Sequence, residues 1–249
     1  MNTLEIVTVP CRSDNYAYLL RDSATGQTAV VDAPEAEPIM AALDERGWDL
    51  DWILLTHHHA DHVDGVPQLV TRYGCKVAGG KADEGRLPPL DMALAEGETF
   101  ALGESKATVI DVSGHTVNHI AFHFTDAHAL FSGDSLFVLG CGRVFEGTHA
   151  MMWTSLAKLA ALDPQTTVWC GHEYTLANLA FARSIEPANP ALVQQGAEIE
   201  AQRAQGKPTV PTTIGRELAA NPFLRATEEP LKAALGLSGA DPASVFGEV

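Results

Sequence analysis

Between positions 57 and 62 this chain places His57, His58, His59, Asp61 and His62, four of its ten histidines beside a carboxylate. The cluster follows directly on Asp51-Trp-Ile-Leu-Leu-Thr56, a short apolar run of the buried-strand type, so the histidines sit at a strand's C-terminal end. Packing that many partly charged groups after an apolar run is costly unless a cation compensates them. Imidazole and carboxylate are ligands for zinc, iron or manganese, each of which needs three or four. The segment cannot complete two sites alone, so the fold must bring further donors to it.

The best candidates lie at other strand ends. His115 in Ser113-Gly-His-Thr, Asp134 in Ser132-Gly-Asp-Ser and His172 in Cys170-Gly-His-Glu each follow a β-rich run and a glycine. Sheet-based layered folds place functional loops at such ends, because a rigid sheet can aim side chains from several loops at one point. Taken singly, His58, His119, His123, His128 and His149 read as surface or hydrogen-bonded histidines. Rival chemistries lack their motifs. Gly133-Asp-Ser135 is missing the second glycine of a nucleophile elbow, Gly80-Lys81 has no phosphate-loop spacing, and the segment from His172 to Leu176 has no second histidine of a zincin.

The remaining pattern divides the chain near residue 172. Before it, strands are expected at Thr3 to Val9, Tyr16 to Arg21 and Thr28 to Asp32, an antiparallel meander, and then at 107–112, 119–125, 129–132 and 167–170. Helices are expected over 39–46, 66–73 and 149–162. Beyond residue 172 the pattern is helical almost throughout, with Asn189-Pro190 as a cap and first-turn proline for a helix over 191–205. At 249 residues and 46% apolar content the chain needs no staples, and its four scattered cysteines read as reduced thiols in a cytoplasmic protein. No signal peptide is expected at the start, and no run approaches the ~18 apolar residues of a membrane span. A formal charge of −16 opposes binding to nucleic acid or an anionic membrane, so an anionic substrate requires a local basic group.

His57, His59, Asp61 and His62 match in full the H-x-H-x-D-H signature of the metallo-β-lactamase superfamily, which the sequence closely resembles. Within it the chain resembles glyoxalase II, the hydroxyacylglutathione hydrolases. The resemblance is carried by Thr56 to His62, Gly114 to His119, Phe131 to Phe137, Gly140 to Thr148, Gly171 to Thr175 and Asn221 to Arg225, of which Gly140 to Thr148 and Asn221 to Arg225 are specific to the subfamily. It implies an α/β fold, a four-layer αββα sandwich over residues 1–172, followed by a small α-helical glutathione-binding domain over 173–249. It also implies two divalent ions, zinc first, with iron or manganese as alternatives. By position, His57, His59 and His115 would hold one ion, Asp61, His62 and His172 the other, and Asp134 both. His58 would point away.

The same resemblance places Arg143, Phe145 and Tyr174 against glutathione, with Arg143 as the required basic group. The implied reaction is hydrolysis of S-(2-hydroxyacyl)glutathione, typically S-D-lactoylglutathione, to glutathione and D-lactate by a hydroxide bridging the ions, with Asp61 and Asp134 as its catalytic carboxylates. This is the second step of methylglyoxal detoxification. The alternative is a mononuclear-iron glutathione persulfide dioxygenase. Partners other than the thioester are not expected, and the chain is expected to be a monomer. Ser113 and Asn118 depart from the residues usual in the family, which affects the loop around His115 but not the ligand. Family members also continue past the equivalent of Val249 with a short basic segment. Either the chain is truncated, or Arg143 and other groups carry that load.

Overall fold

The computed structural model describes residues 4–249. Thr3, the first residue of the expected opening strand, lies outside the described residues. The chain forms two compact units, one running to Asp111 and taking in Asn118–Gly133, the other made of Val112–Val117 and Asp134–Val249.

The first unit opens with β1 (Leu4–Cys11), β2 (Asn15–Asp22) and β3 (Thr28–Val31), paired antiparallel in succession as the expected meander. It continues through α1 (Ala36–Arg46), β4 (Trp52–Leu54), α2 (Ala60–Val63), α3 (Val66–Tyr73), β5 (Lys76–Gly80) and β6 (Met92–Leu94). From β3 to β6 the pairing is parallel, which places β4 in the middle of a six-stranded sheet. Strands covered on both faces carry continuous apolar runs, and every residue of Thr-Ala-Val-Val in β3 is buried. Helices α1 and α3 cover one of those faces. Ile39 and Leu43, four apart on α1, and Leu69 on α3 join Leu19, Val30, Ile53 and Val77 in one core. Helix α1 stops at Gly47, which takes the left-handed conformation typical of a C-terminal cap. The unit ends with β7 (Thr99–Leu102), β8 (Ser105–Asp111), β9 (Ile120–Phe124) and β10 (Ala129–Gly133), paired antiparallel in succession.

The second unit contains β11 (Leu136–Phe137), β12 (Gly140–Cys141), α4 (His149–Ala160), β13 (Thr167–Cys170), α5 (Thr175–Ile185), α6 (Pro190–Ala204), β14 (Thr212–Thr213), α7 (Ile214–Ala220), α8 (Glu229–Ala234) and α9 (Pro242–Glu248). The Thr148 hydroxyl caps α4 by accepting from the Met151 amide, and Met152, Leu156 and Leu159 are its buried stripe, as their spacing requires. Asn189 caps α6 by accepting from the amides of Ala191 and Leu192.

Several polar groups are buried among these helices, a glutamate among them. Glu217 on α7 is fully buried, and its carboxyl accepts from the Leu139 amide at 2.8 Å, Asn221 Nδ2 at 3.0 Å and the Thr212 hydroxyl at 2.7 Å. Burial outweighs these bonds and pushes its pKa up from 4.5 to about 7. The folded chain therefore keeps a proton that the unfolded chain has lost, so this group's contribution to stability falls as pH rises between those two values. Glutamine mimics the protonated side chain and has no such loss. Melting of E217Q and the parent protein from pH 5 to pH 8 should show the variant gaining in relative stability by about 1–3 kcal/mol. A difference that is flat with pH would contradict the assignment.

Candidate metal centre

The first unit's donors are organised by Asp32. It follows β3 directly, has a left-handed backbone (φ 56°) unusual for a side chain other than glycine's, and is buried. Its carboxylate accepts from the Thr56 amide at 2.9 Å, the Thr56 hydroxyl at 2.8 Å and His62 Nδ1 at 2.8 Å. Two tautomers follow. With its Nδ1 proton on Asp32, His62 keeps the Nε2 lone pair. Because the Thr56 hydroxyl proton goes to Asp32, its oxygen accepts from His57 Nδ1 at 3.0 Å, which leaves His57 Nε2 as the second lone pair.

His57 Nε2 and His59 Nδ1 stand 3.1 Å apart, close to the ~3.3 Å edge of a nitrogen tetrahedron around an ion with ~2.0–2.1 Å bonds. Helix α2 begins one residue after His59 and carries Asp61 and His62, whose Oδ2 and Nε2 are 3.9 Å apart. Asn15 Nδ2 donates to Asp61 at its Oδ2, 3.2 Å away, and at its carbonyl. His58 turns to Asp83, 3.0 Å from Nδ1, and buried His119 stacks on His57 at 4.6 Å.

The second unit holds His115, Asp134 and His172, all buried. Asp134 Oδ2 is 3.5 Å from His115 Nε2 and 3.2 Å from His172 Nε2, so one carboxylate oxygen faces two ring nitrogens. His115 Nδ1 donates to the Arg143 carbonyl at 2.8 Å, which directs its Nε2 lone pair toward Asp134. Tyr174 lies flat on His172 at 4.6 Å and 6°, with Phe137 edge-on to both rings. A Cβ at Gly142 would collide with the Asp134 carbonyl oxygen and sit 2.9 Å from His115 Nδ1, so only glycine fits there. Arg143 is exposed, and no ion pair to its guanidinium occurs among the described residues. Phe145, 64% exposed, has its ring 5.2 Å from that of His115.

Hindered thiols complete the chemistry. Burial pushes Cys170 up to about 12 and Cys141 higher still, so neither is a thiolate nucleophile near neutral pH. In each unit ring nitrogens face carboxylate oxygens, a donor set that fits divalent cations.

Sequence reasoning missed Asp32, Asn15 and Asp83. Asp32 was within reach of the rule that found the others, since it closes the expected third strand.

The metallo-beta-lactamase superfamily model matches residues 12–172, and the hydroxyacylglutathione hydrolase C-terminus model matches 173–249. A curated hydroxyacylglutathione hydrolase from Cereibacter sphaeroides is 58% identical over 246 residues, 99% of this chain and 96% of its own length. The BLEG-1 B3 metallo-beta-lactamase structure superposes with a TM-score of 0.66 at 22% identity, covering 88% of this chain and 99% of its own. TTHA1623, solved in a di-iron-bound form, has a TM-score of 0.65 at 26% identity and covers 88% of this chain and 100% of its own. The fold is that of the metallo-β-lactamase superfamily, an α/β architecture of sheets and helices with a helical C-terminal region. Within that class the chain belongs to the hydroxyacylglutathione hydrolase family.

Asp32 controls the tautomer and position of His62, so D32N should weaken metal binding by about 10–100-fold. Competition with a chromophoric chelator measures it. An unaltered affinity in a folded variant would refute the role.

Proposed function

We propose that this chain is a metal-dependent thioester hydrolase that converts S-(2-hydroxyacyl)glutathione to glutathione and a 2-hydroxy acid. The 58% identity to a hydroxyacylglutathione hydrolase over nearly the whole of both chains carries the reading. No observation favours the persulfide dioxygenase.

In this proposal His57, His59 and His115 hold one divalent ion, Asp61, His62 and His172 a second, and Asp134 contributes to both. Support comes from the donor atoms. Within the first unit His57 Nε2 and His59 Nδ1 stand 3.1 Å apart, and within the second Asp134 Oδ2 faces His115 Nε2 and His172 Nε2 at 3.5 and 3.2 Å. Zinc is the first choice, with iron and manganese suited to the same ligands. The ions would supply an activated water at neutral pH and Lewis-acid polarisation of the thioester carbonyl.

The protein's own groups do the rest. Asp61, held by Asn15, is positioned to orient the attacking water, and Asp134 fixes the spacing of His115 and His172. Arg143, exposed and without an ion pair among the described residues, binds a glutathione carboxylate on a chain whose net charge of −16 repels anions. Phe145 and Tyr174 flank the tripeptide. The thiolate leaving group, with a pKa near ~8.5, departs without a strong general acid, so no acid residue is required.

The proposal includes a division near residue 172 into catalytic and glutathione-binding parts, supported by the two family matches that meet there. It also includes S-D-lactoylglutathione as the typical substrate, a monomer and a cytoplasmic location. Among the described residues, no helix is long and apolar enough to cross a membrane.

Elemental analysis combined with glutathione release from S-D-lactoylglutathione tests the whole. About two metals per chain and turnover abolished by chelation are expected. One iron per chain with oxygen uptake on glutathione persulfide, and no thioester hydrolysis, would replace this reading with the dioxygenase.

A further inference from the structure

The turn between β11 and β12 is short and strained, and it is gripped from outside. Phe137 pairs with Gly140 across it, and Leu139 has a left-handed backbone (φ 55°) that a branched side chain adopts only when its surroundings enforce it. Three side chains from the helical part of the second unit enforce it. Asn178 on α5 donates to the Val138 carbonyl at 2.9 Å. Glu217 on α7 accepts from the Leu139 amide at 2.8 Å. Asn221, just past α7, donates to the Gly140 carbonyl at 2.9 Å and is itself bonded to Glu217 at 3.0 Å. Glu217 and Asn221 are completely buried. Gly140 lacks a side chain where a Cβ would strike Asn178.

What leaves this turn is the proposed substrate segment. Gly142 donates to the Ser135 carbonyl, Arg143 offers its carbonyl to His115, and Phe145 donates to the His115 carbonyl at 3.2 Å. We propose that Asn178, Glu217 and Asn221 are positioning residues that set the place of Arg143 and Phe145, and so the affinity for the glutathione half of the substrate. This inference rests on the reading that Arg143 touches substrate.

Its chemistry fixes which substitutions matter. Glu217 presents Oε2 to the Leu139 amide and Asn221 Nδ2, while its Oε1 accepts from the Thr212 hydroxyl. Glutamine keeps an oxygen for the Leu139 amide and Asn221, and its N–H can donate to the Thr212 hydroxyl, whose oxygen also accepts. Alanine offers neither and leaves the Leu139 N–H buried and unmatched.

The test is steady-state hydrolysis of S-D-lactoylglutathione by metal-loaded N178A, E217A, E217Q and R143A, with metals per chain counted and hydrogen exchange followed over residues 137–143. N178A and E217A should raise KM about 5–20-fold with kcat within about threefold and metal content unchanged, and exchange in the segment should quicken. E217Q should stay within about twofold of the parent. Asn178 is half-buried on a helix surface, so N178A decides the matter should E217A fail to fold. Parent-like KM and exchange in N178A would overturn the inference, as would a loss in E217Q equal to that in E217A. If R143A leaves KM unchanged, the substrate reading of Arg143 fails and the affinity inference with it. Quickened exchange in N178A would then show a grip without the proposed purpose.

Discussion

A single carboxylate at the end of β3 holds the first unit's candidate donors in order. Asp32 accepts three hydrogen bonds, two from Thr56 at the exit of β4 and one from His62 on α2. Those bonds lock the end of a central parallel strand to the start of a helix, and they decide which nitrogens of His57 and His62 are protonated. Without them the two rings would be free to present the wrong nitrogen. The left-handed backbone at Asp32 is strain stored where the donor set needs accuracy.

The second unit solves the same problem differently. There a main-chain carbonyl, that of Arg143, fixes the His115 tautomer, and an aromatic face, that of Tyr174, steadies His172. Tying His115 to the backbone of a residue proposed to bind substrate makes the ligand and the substrate loop one mechanical piece. Glycine at position 142 permits the close approach on which this depends.

The candidate donor residues stand out in the sequence because their pattern is local in kind. Each donor follows a strand and a tight turn, and the histidine density between 57 and 62 has no cheap structural explanation. The opening meander, the stripe of α4 and the cap of α6 were equally legible, since each rests on neighbours in sequence. Strand β5 was not, because Lys76-Val-Ala-Gly-Gly80 has weak strand propensity and becomes a strand through parallel pairing with β4 and β6. Nor was the grip on the Leu139 turn, which joins residues some forty to eighty positions apart, and whose key carboxyl reads in sequence as an ordinary helix-surface glutamate.

The buried cysteines bear on durability. An enzyme that liberates glutathione at each turnover works beside a thiol that exchanges readily with oxidised partners. Exchange proceeds through the thiolate, and a thiol held at about 12, as Cys170 and Cys11 are, is ionised at pH 7 in only about one molecule in 10⁵. Cys11 and Cys170 are thus poor partners for exchange with the product the enzyme liberates.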